Sequence, residues 1–222
     1  MRQRWYDLLF AHWPVPAAVL QRYVPDSLKV QEYDGTSWLG VVPFRMEGIA
    51  PRGLPSLPWL SAFPELNVRI YVERDGKPGV WFLSLDATNP LAIWAAKRFF
   101  HLPYRRSAID ITKRDDGLHY RSTRGSEVFE ANYRPVSEVF NATPGSLEAF
   151  LAERYCLYAQ SKRGALYRGE VHHAPWPLQR AEGSVHATAL LGGHGLTVEG
   201  KPLMHFSKGV DVVVWSLEKL IC

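Results

Sequence analysis

The sequence predicts a single α+β domain spanning residues 1–222, an antiparallel sheet or barrel with a few helices packed outside it. Three observations carry this. The stretch ELNVRIYVE (65–73) alternates strictly between apolar and polar residues. Many further strand-like segments are separated by turn signals, and only three segments read as helix. No internal repeat or low-complexity linker divides the chain.

The first helix is expected from Ala17 to Tyr23, ending before Pro25. SWLGVVPFRM (37–46) follows as a strand. In ELNVRIYVE, period two sends Leu66, Val68, Ile70 and Val72 one way, and Glu65, Asn67, Arg69, Tyr71 and Glu73 the other. Asp75-Gly76 signals a turn, so VWFLSLDA (80–87) is the expected antiparallel partner. Asn89-Pro90 opens a second helix carrying LAIWAAKRFF. The expected strands beyond it are SAIDITKR (107–114), LHYRSTR (118–124), FEANYRPV (129–136), ALYRGEVHH (165–173) and GVDVVVWSL (209–217). Thr143-Pro144 starts the clearest helix: Leu147, Phe150, Leu151, Tyr155 and Tyr158 recur at helical spacing through about Gln160. Gly192-Gly193-His194-Gly195 reads as a turn. MEGIAPRGLPSLPWLSAFP (46–64) is a long loop. It either caps one end of the core or forms a lid with Trp59, Leu60 and Phe63 facing a ligand.

A hydrophobic share of 46% with 22% charged residues fits a soluble globular protein rather than a disordered one. The net charge of +4 is scattered, without the dense basic stripe of a nucleic-acid binder. The 2 cysteines, Cys156 in an expected helix and Cys222, make neither a disulfide framework nor a zinc-ligand pair, which suits a reducing cytoplasm. MRQRWYDLLFAHWPVP has too short an apolar stretch for a signal peptide, and no window approaches a membrane span. The chain is therefore expected to stay soluble and cytoplasmic, with a small-molecule ligand as partner. A homo-oligomer is left open. Nucleotide and hydrolase signatures are absent, and the dispersed histidines include His172-His173, which point to opposite strand faces. No metal and no cofactor is expected.

Two polar groupings can carry chemistry. Glu65, Asn67 and Arg69 share one strand face, which either lines an interior cavity, where a carboxylate and a guanidinium can hold a polar ligand, or lies in solvent with its charges paired across strands. In LPYRRSAI, Tyr104 and Arg106 share a face and Arg105 takes the other. Neighbouring guanidiniums should lower the phenol's pKa, and such a tyrosine can donate a proton or stabilise an oxyanion. The plainer alternative is two surface arginines.

ELNVRIYV, PGVWFLSLDA, LPYRRSAI, LAERYCLY and VHHAPWPLQRAE, in that order, resemble the YqjF-like family of uncharacterised bacterial proteins, DUF2071, over nearly the whole chain. More distantly the chain is similar to the acetoacetate decarboxylase superfamily. That resemblance implies a barrel-like double sheet around a central cavity. It places Glu65 on the family's strand glutamate, LPYRR on its Pro-Lys-Lys segment, Tyr104 at the Schiff-base position and Arg105 at that of the tuning lysine. Arg4, in QRWY, corresponds to an N-terminal arginine of the site. By this reading Glu65, Tyr104 and Arg105 are the catalytic candidates, and Arg4, Asn67 and Arg69 the substrate-binding ones. The departure is chemical: tyrosine has no amine, and arginine stays protonated. Ala96-Lys97-Arg98 stands where the superfamily has Gly-Arg-Glu. Borohydride treatment with a keto acid is therefore expected to leave no covalent adduct by mass spectrometry; an adduct on Lys97 or any other lysine would contradict this.

Overall fold

A computed structural model describes residues 1–50 and 62–220. Its strands are β1 (Arg2–Pro14), β2 (Lys29–Val30), β3 (Trp38–Ala50), β4 (Phe63–Arg74), β5 (Lys77–Ala87), β6 (Tyr104–Arg106), β7 (Ala108–Arg114), β8 (Gly117–Arg124), β9 (Glu127–Pro135), β10 (Cys156–Gln160), β11 (Leu166–His173), β12 (Leu178–His186), β13 (Leu203–Val214) and β14 (Glu218–Lys219). The helices are α1 (Ala17–Leu20, continued by a 3-10 turn to Tyr23), α2 (Pro90–Phe100), α3 (Leu147–Ala152) and α4 (Thr188–Gly192). None of the described helices is long and apolar enough to cross a membrane.

The strands run in the order β14-β11-β10-β5-β4-β3-β1-β13-β12-β9-β8-β7, and β11 also pairs with β13. Most pairings are antiparallel, but β5 pairs in parallel with both β10 and β6. Strand β12 joins two layers: Leu178–Arg180 pair with β13, and Ala181–His186 pair with β9. This is the double sheet expected from the sequence, with one strand turning the corner between layers. The apolar face of β4 packs across the layers, Leu66, Val68, Ile70 and Val72 joining Tyr120, Phe129 and Tyr133 in one core. That cohesion comes from fully removing these side chains from water, about 1.5–3 kcal/mol for each aliphatic one.

Helix α2 follows its sequence signals closely. Asn89 Oδ1 accepts the free N–H groups of Leu91 and Ala92 at 3.0 and 3.1 Å, and Pro90 opens the first turn. The helix ends at His101, in the left-handed region at φ 53°. Helix α3 is shorter than its periodicity predicts. Ser146, not Thr143, caps it by accepting from Ala149 N at 3.2 Å, and the chain from Cys156 to Gln160 is strand. The reason is burial on both sides: Cys156, Leu157, Tyr158 and Ala159 are all buried between β5 and β11, so no alternation marks them as β. Of the long loop, residues 46–50 and 63–64 are strand, and Phe63 is buried beside Phe44 and Met46. Trp59 and Leu60 lie outside the described residues.

Gly183 sits in β12 opposite Tyr133, with φ 143°, and a Cβ there would lie 1.9 Å from Asn132 O. Gly183→Ala is therefore expected to cost about 2–4 kcal/mol from backbone strain and overlap together, read as a lower urea midpoint at unchanged slope.

Candidate functional site

The polar face of β4 points inward. Glu65, Asn67 and Arg69 are 2%, 6% and 8% exposed, which rules out the solvated-face alternative. All three line one cavity together with Tyr104, and its walls are largely apolar, with Trp5, Phe44, Phe82, Leu85, Phe100 and Trp176 among them. The space open to the centre of a water molecule is about 110 Å³. A single water needs only ~10–15 Å³ on that measure, so a small organic molecule fits.

Local irregularities make this room. β5 carries a bulge: Val68 pairs with Ser84 but Arg69 pairs with Phe82. The extra residue shifts the strand's parity, so that Val80, Phe82 and Leu85 all face the cavity. On the other side of β4, Gly40 lies opposite Arg69, where a Cβ would come within 3.1 Å of Arg69 Cγ and 3.2 Å of the Tyr71 hydroxyl. After α2 the chain returns along β5, and the pairing of Tyr104 with Leu85 carries its ring into the cavity wall.

Tyr104 donates its hydroxyl to Glu65 Oε2 at 2.6 Å. Burial pushes the Glu65 carboxyl up from the usual 4.5 to about 8; the Tyr104 hydrogen bond works against this rise and the charge of Asp86 adds to it. Glu65 thus holds its proton at neutral pH. The phenol of Tyr104 is pushed far up by burial and by Glu65, the reverse of the lowering expected from its arginine neighbours. The reason is where those arginines go. Arg105 points away from the cavity toward Glu127, at 4.0 Å, and Arg106 is exposed.

The other polar group is cationic. Arg69 donates from Nε to the Tyr71 hydroxyl at 3.1 Å and from Nη2 to Leu151 O at 3.0 Å, and its guanidinium lies over the Phe10 and Tyr71 rings. Tyr71 in turn donates to Leu151 O at 2.8 Å and is bonded by His12 Nε2 at 2.6 Å. Arg154, which follows α3, also lines the cavity. It donates to Phe150 O at 2.7 Å and Gln31 Oε1 at 2.6 Å, while its Nη2 is buried without a partner. Burial, with Arg69 nearby, lowers its pKa to about 10, so it stays charged at neutral pH. Among the described residues neither guanidinium has a carboxylate partner. Asn67 Oδ1 and Trp176 Nε1 are likewise buried without partners.

Arg4 stands apart from this cavity, exposed on β1 and paired with Asp211 at 2.9 Å. Arg154, His173 and Trp176 line the cavity and were missed by sequence reasoning. VHHAPWPLQRAE pointed to the region of the last two without marking either side chain. His173 donates from Nδ1 to Ala174 O at 2.8 Å, stacks on Tyr155, and is kept neutral by burial; His172 points outward. Burial raises the Cys156 thiol to about 11, so this cavity-lining sulfur is no thiolate at neutral pH. No lysine is among the described residues that line the cavity, and Lys97 is exposed. Among the described residues no His, Cys, Asp and Glu cluster is arranged to hold a metal ion.

The fold is that of the acetoacetate decarboxylase-like proteins. An acetoacetate decarboxylase-like enzyme from Sphingomonas wittichii RW1 superposes with a TM-score of 0.69 at 12% identity, over 99% of this chain and 92% of its own. The enduracididine biosynthesis enzyme MppR, complexed with pyruvate, gives 0.72 at 11% identity, over 99% and 90%. The acetoacetate decarboxylase of Legionella pneumophila gives 0.68 at 13% identity, over 100% and 88%. At such identities the likeness speaks to fold alone. The sequence places the chain more closely: the model of DUF2071, an uncharacterised conserved protein family, matches residues 2–211, and the chain belongs to that family. The uncharacterised protein YqjF of Bacillus subtilis (strain 168) is 44% identical over 99% of this chain and 92% of its own length.

The raised carboxyl has a consequence for stability. Between pH 4.5 and about 8 the unfolded chain has released the Glu65 proton while the folded chain keeps it, so stability falls as pH rises through this window. Glu65→Gln keeps an acceptor for Tyr104 and removes the titration. The stability of wild type relative to Glu65→Gln is expected to decline steadily across that window in urea titrations; a flat or rising difference would contradict the assignment.

Proposed function

We propose that this chain binds a small carbonyl- or carboxylate-bearing molecule in the cavity, without Schiff-base chemistry. One observation carries the reading: a proton-bearing Glu65–Tyr104 pair and an Arg69 with no carboxylate partner among the described residues open onto the same apolar space. A buried guanidinium left without an anion is costly, and a ligand carboxylate would satisfy it with charge-assisted bonds. The neutral Glu65 carboxyl would donate to a carbonyl oxygen. A cavity lined by no lysine among the described residues supports the exclusion of an imine. The pyruvate complex of MppR supports the choice of ligand class, since that protein shares the fold.

A second reading is favoured by the 2.6 Å contact itself. If Glu65 delivers its proton to a bound carbonyl, Tyr104 already donates to the carboxylate that remains, so the pair is built for acid–base catalysis. Thermal-shift screening of small oxo acids at neutral pH separates the two. Binders should raise the melting temperature of wild type and lose that effect in Arg69→Gln. With a bound compound that turns over, Tyr104→Phe is expected to keep binding and lose about 10²-fold or more in kcat. Binding with no turnover in wild type supports the plain binder.

A further inference from the structure

The cavity is polarised along β4. At one end Tyr104 and Glu65 meet; at the other the Arg69 guanidinium is drawn away from Glu65 by its bonds to Tyr71 and Leu151 O. Arg154 lies over the same Tyr71 ring, its guanidinium carbon 5.1 Å from the ring centre. The charges sort the same way. Asp86 bears on Glu65, whereas Arg69 bears on His12, Tyr71 and Arg154. Four residue steps along the strand lead from Glu65 to Arg69, ~13 Å between their Cα atoms. The walls along this length are apolar, with Phe44 opposite Glu65, Leu85 opposite Asn67 and Phe82 opposite Arg69, and Asn67 is the polar group between the two ends on the same strand face.

We infer that the ligand is an elongated monocarboxylate: an acid group held by Arg69 and Arg154, an apolar spacer of about four carbons or more, and a distal carbonyl or hydroxyl at Glu65 and Tyr104. This rests on the reading of the cavity as a carboxylate site and specifies its ligand. A 3-oxo acid holds its carbonyl two bonds from the carboxylate and cannot touch both ends. A dicarboxylate is disfavoured because its second charge would sit on the side of Glu65 that already feels Asp86. The buried Nη2 of Arg154 without a partner is the donor such an acid would satisfy.

Calorimetric titration of the wild-type protein at neutral pH tests this with 3-oxobutanoate, 4-oxopentanoate, 5-oxohexanoate and 6-oxoheptanoate. Each is paired with the plain alkanoate of the same length, so that gains from apolar length cancel. The expected result is a ratio of affinities, oxo acid over plain acid, near one for the shortest pair and rising to about tenfold for the longest. A ratio greatest for 3-oxobutanoate, or near one at every length, overturns the elongated ligand while leaving a carboxylate site standing. If no acid of either series binds, the carboxylate reading falls with it.

Discussion

A strand that turns a carboxyl, an amide and a guanidinium toward the protein interior must satisfy each of them there, and the rest of this structure answers that demand. Glu65 is met by the Tyr104 hydroxyl, which is why the chain after α2 runs back along β5 as a short parallel strand. Arg69 is met by Tyr71 and by a carbonyl at the end of α3, and Tyr71 is fixed in turn by His12. The solution is incomplete. Asn67 Oδ1, Trp176 Nε1 and Arg154 Nη2 have no partner among the described residues, and all three residues line the same space. Buried polar atoms are ordinarily paired, so orphans gathered around one cavity mark where a ligand or water belongs.

Geometry and electrostatics reinforce each other here. The bulge in β5 turns three large apolar side chains toward the polar face of β4, and this dry surrounding is what holds the proton on Glu65. Without it Glu65 would be an ordinary carboxylate and would compete with any anionic ligand. A neutral acid at one end and two guanidiniums at the other give the cavity a direction that an all-charged or all-apolar pocket lacks.

Much of the fold was legible in the sequence because local chemistry and tertiary structure agree. The alternation in ELNVRIYVE, the Asn89-Pro90 cap and the Asp75-Gly76 turn each appear as read. Legibility failed where burial is two-sided. In β1, Leu8 to Trp13 are buried on both faces, and β10 carries helix-like spacing, so neither showed period two. Within the site, Glu65, Asn67, Arg69 and Tyr104 were named from alternation and resemblance, but whether their face was wet or dry depended on strands distant in sequence. Arg105 takes the face opposite Tyr104, as the alternation in LPYRR already placed it; its candidacy came from the resemblance alone, and its side chain turns to Glu127 outside the cavity. Arg154 falls within LAERYCLY, but nothing in that motif marks its side chain, because its place in the cavity depends on α3 ending early and β10 entering the sheet.

The proton kept by the buried Glu65 carboxyl, beside the hydrogen bond it accepts from Tyr104, is the central claim. Carbon-detected NMR of the Glu65 side-chain carboxyl, titrated in the folded protein, measures it directly. A midpoint near 8, moving higher in Tyr104→Phe as the stabilising hydrogen bond is lost, is the expected result. A midpoint near the usual 4.5 would show an ionised carboxylate facing the cavity and contradict the account.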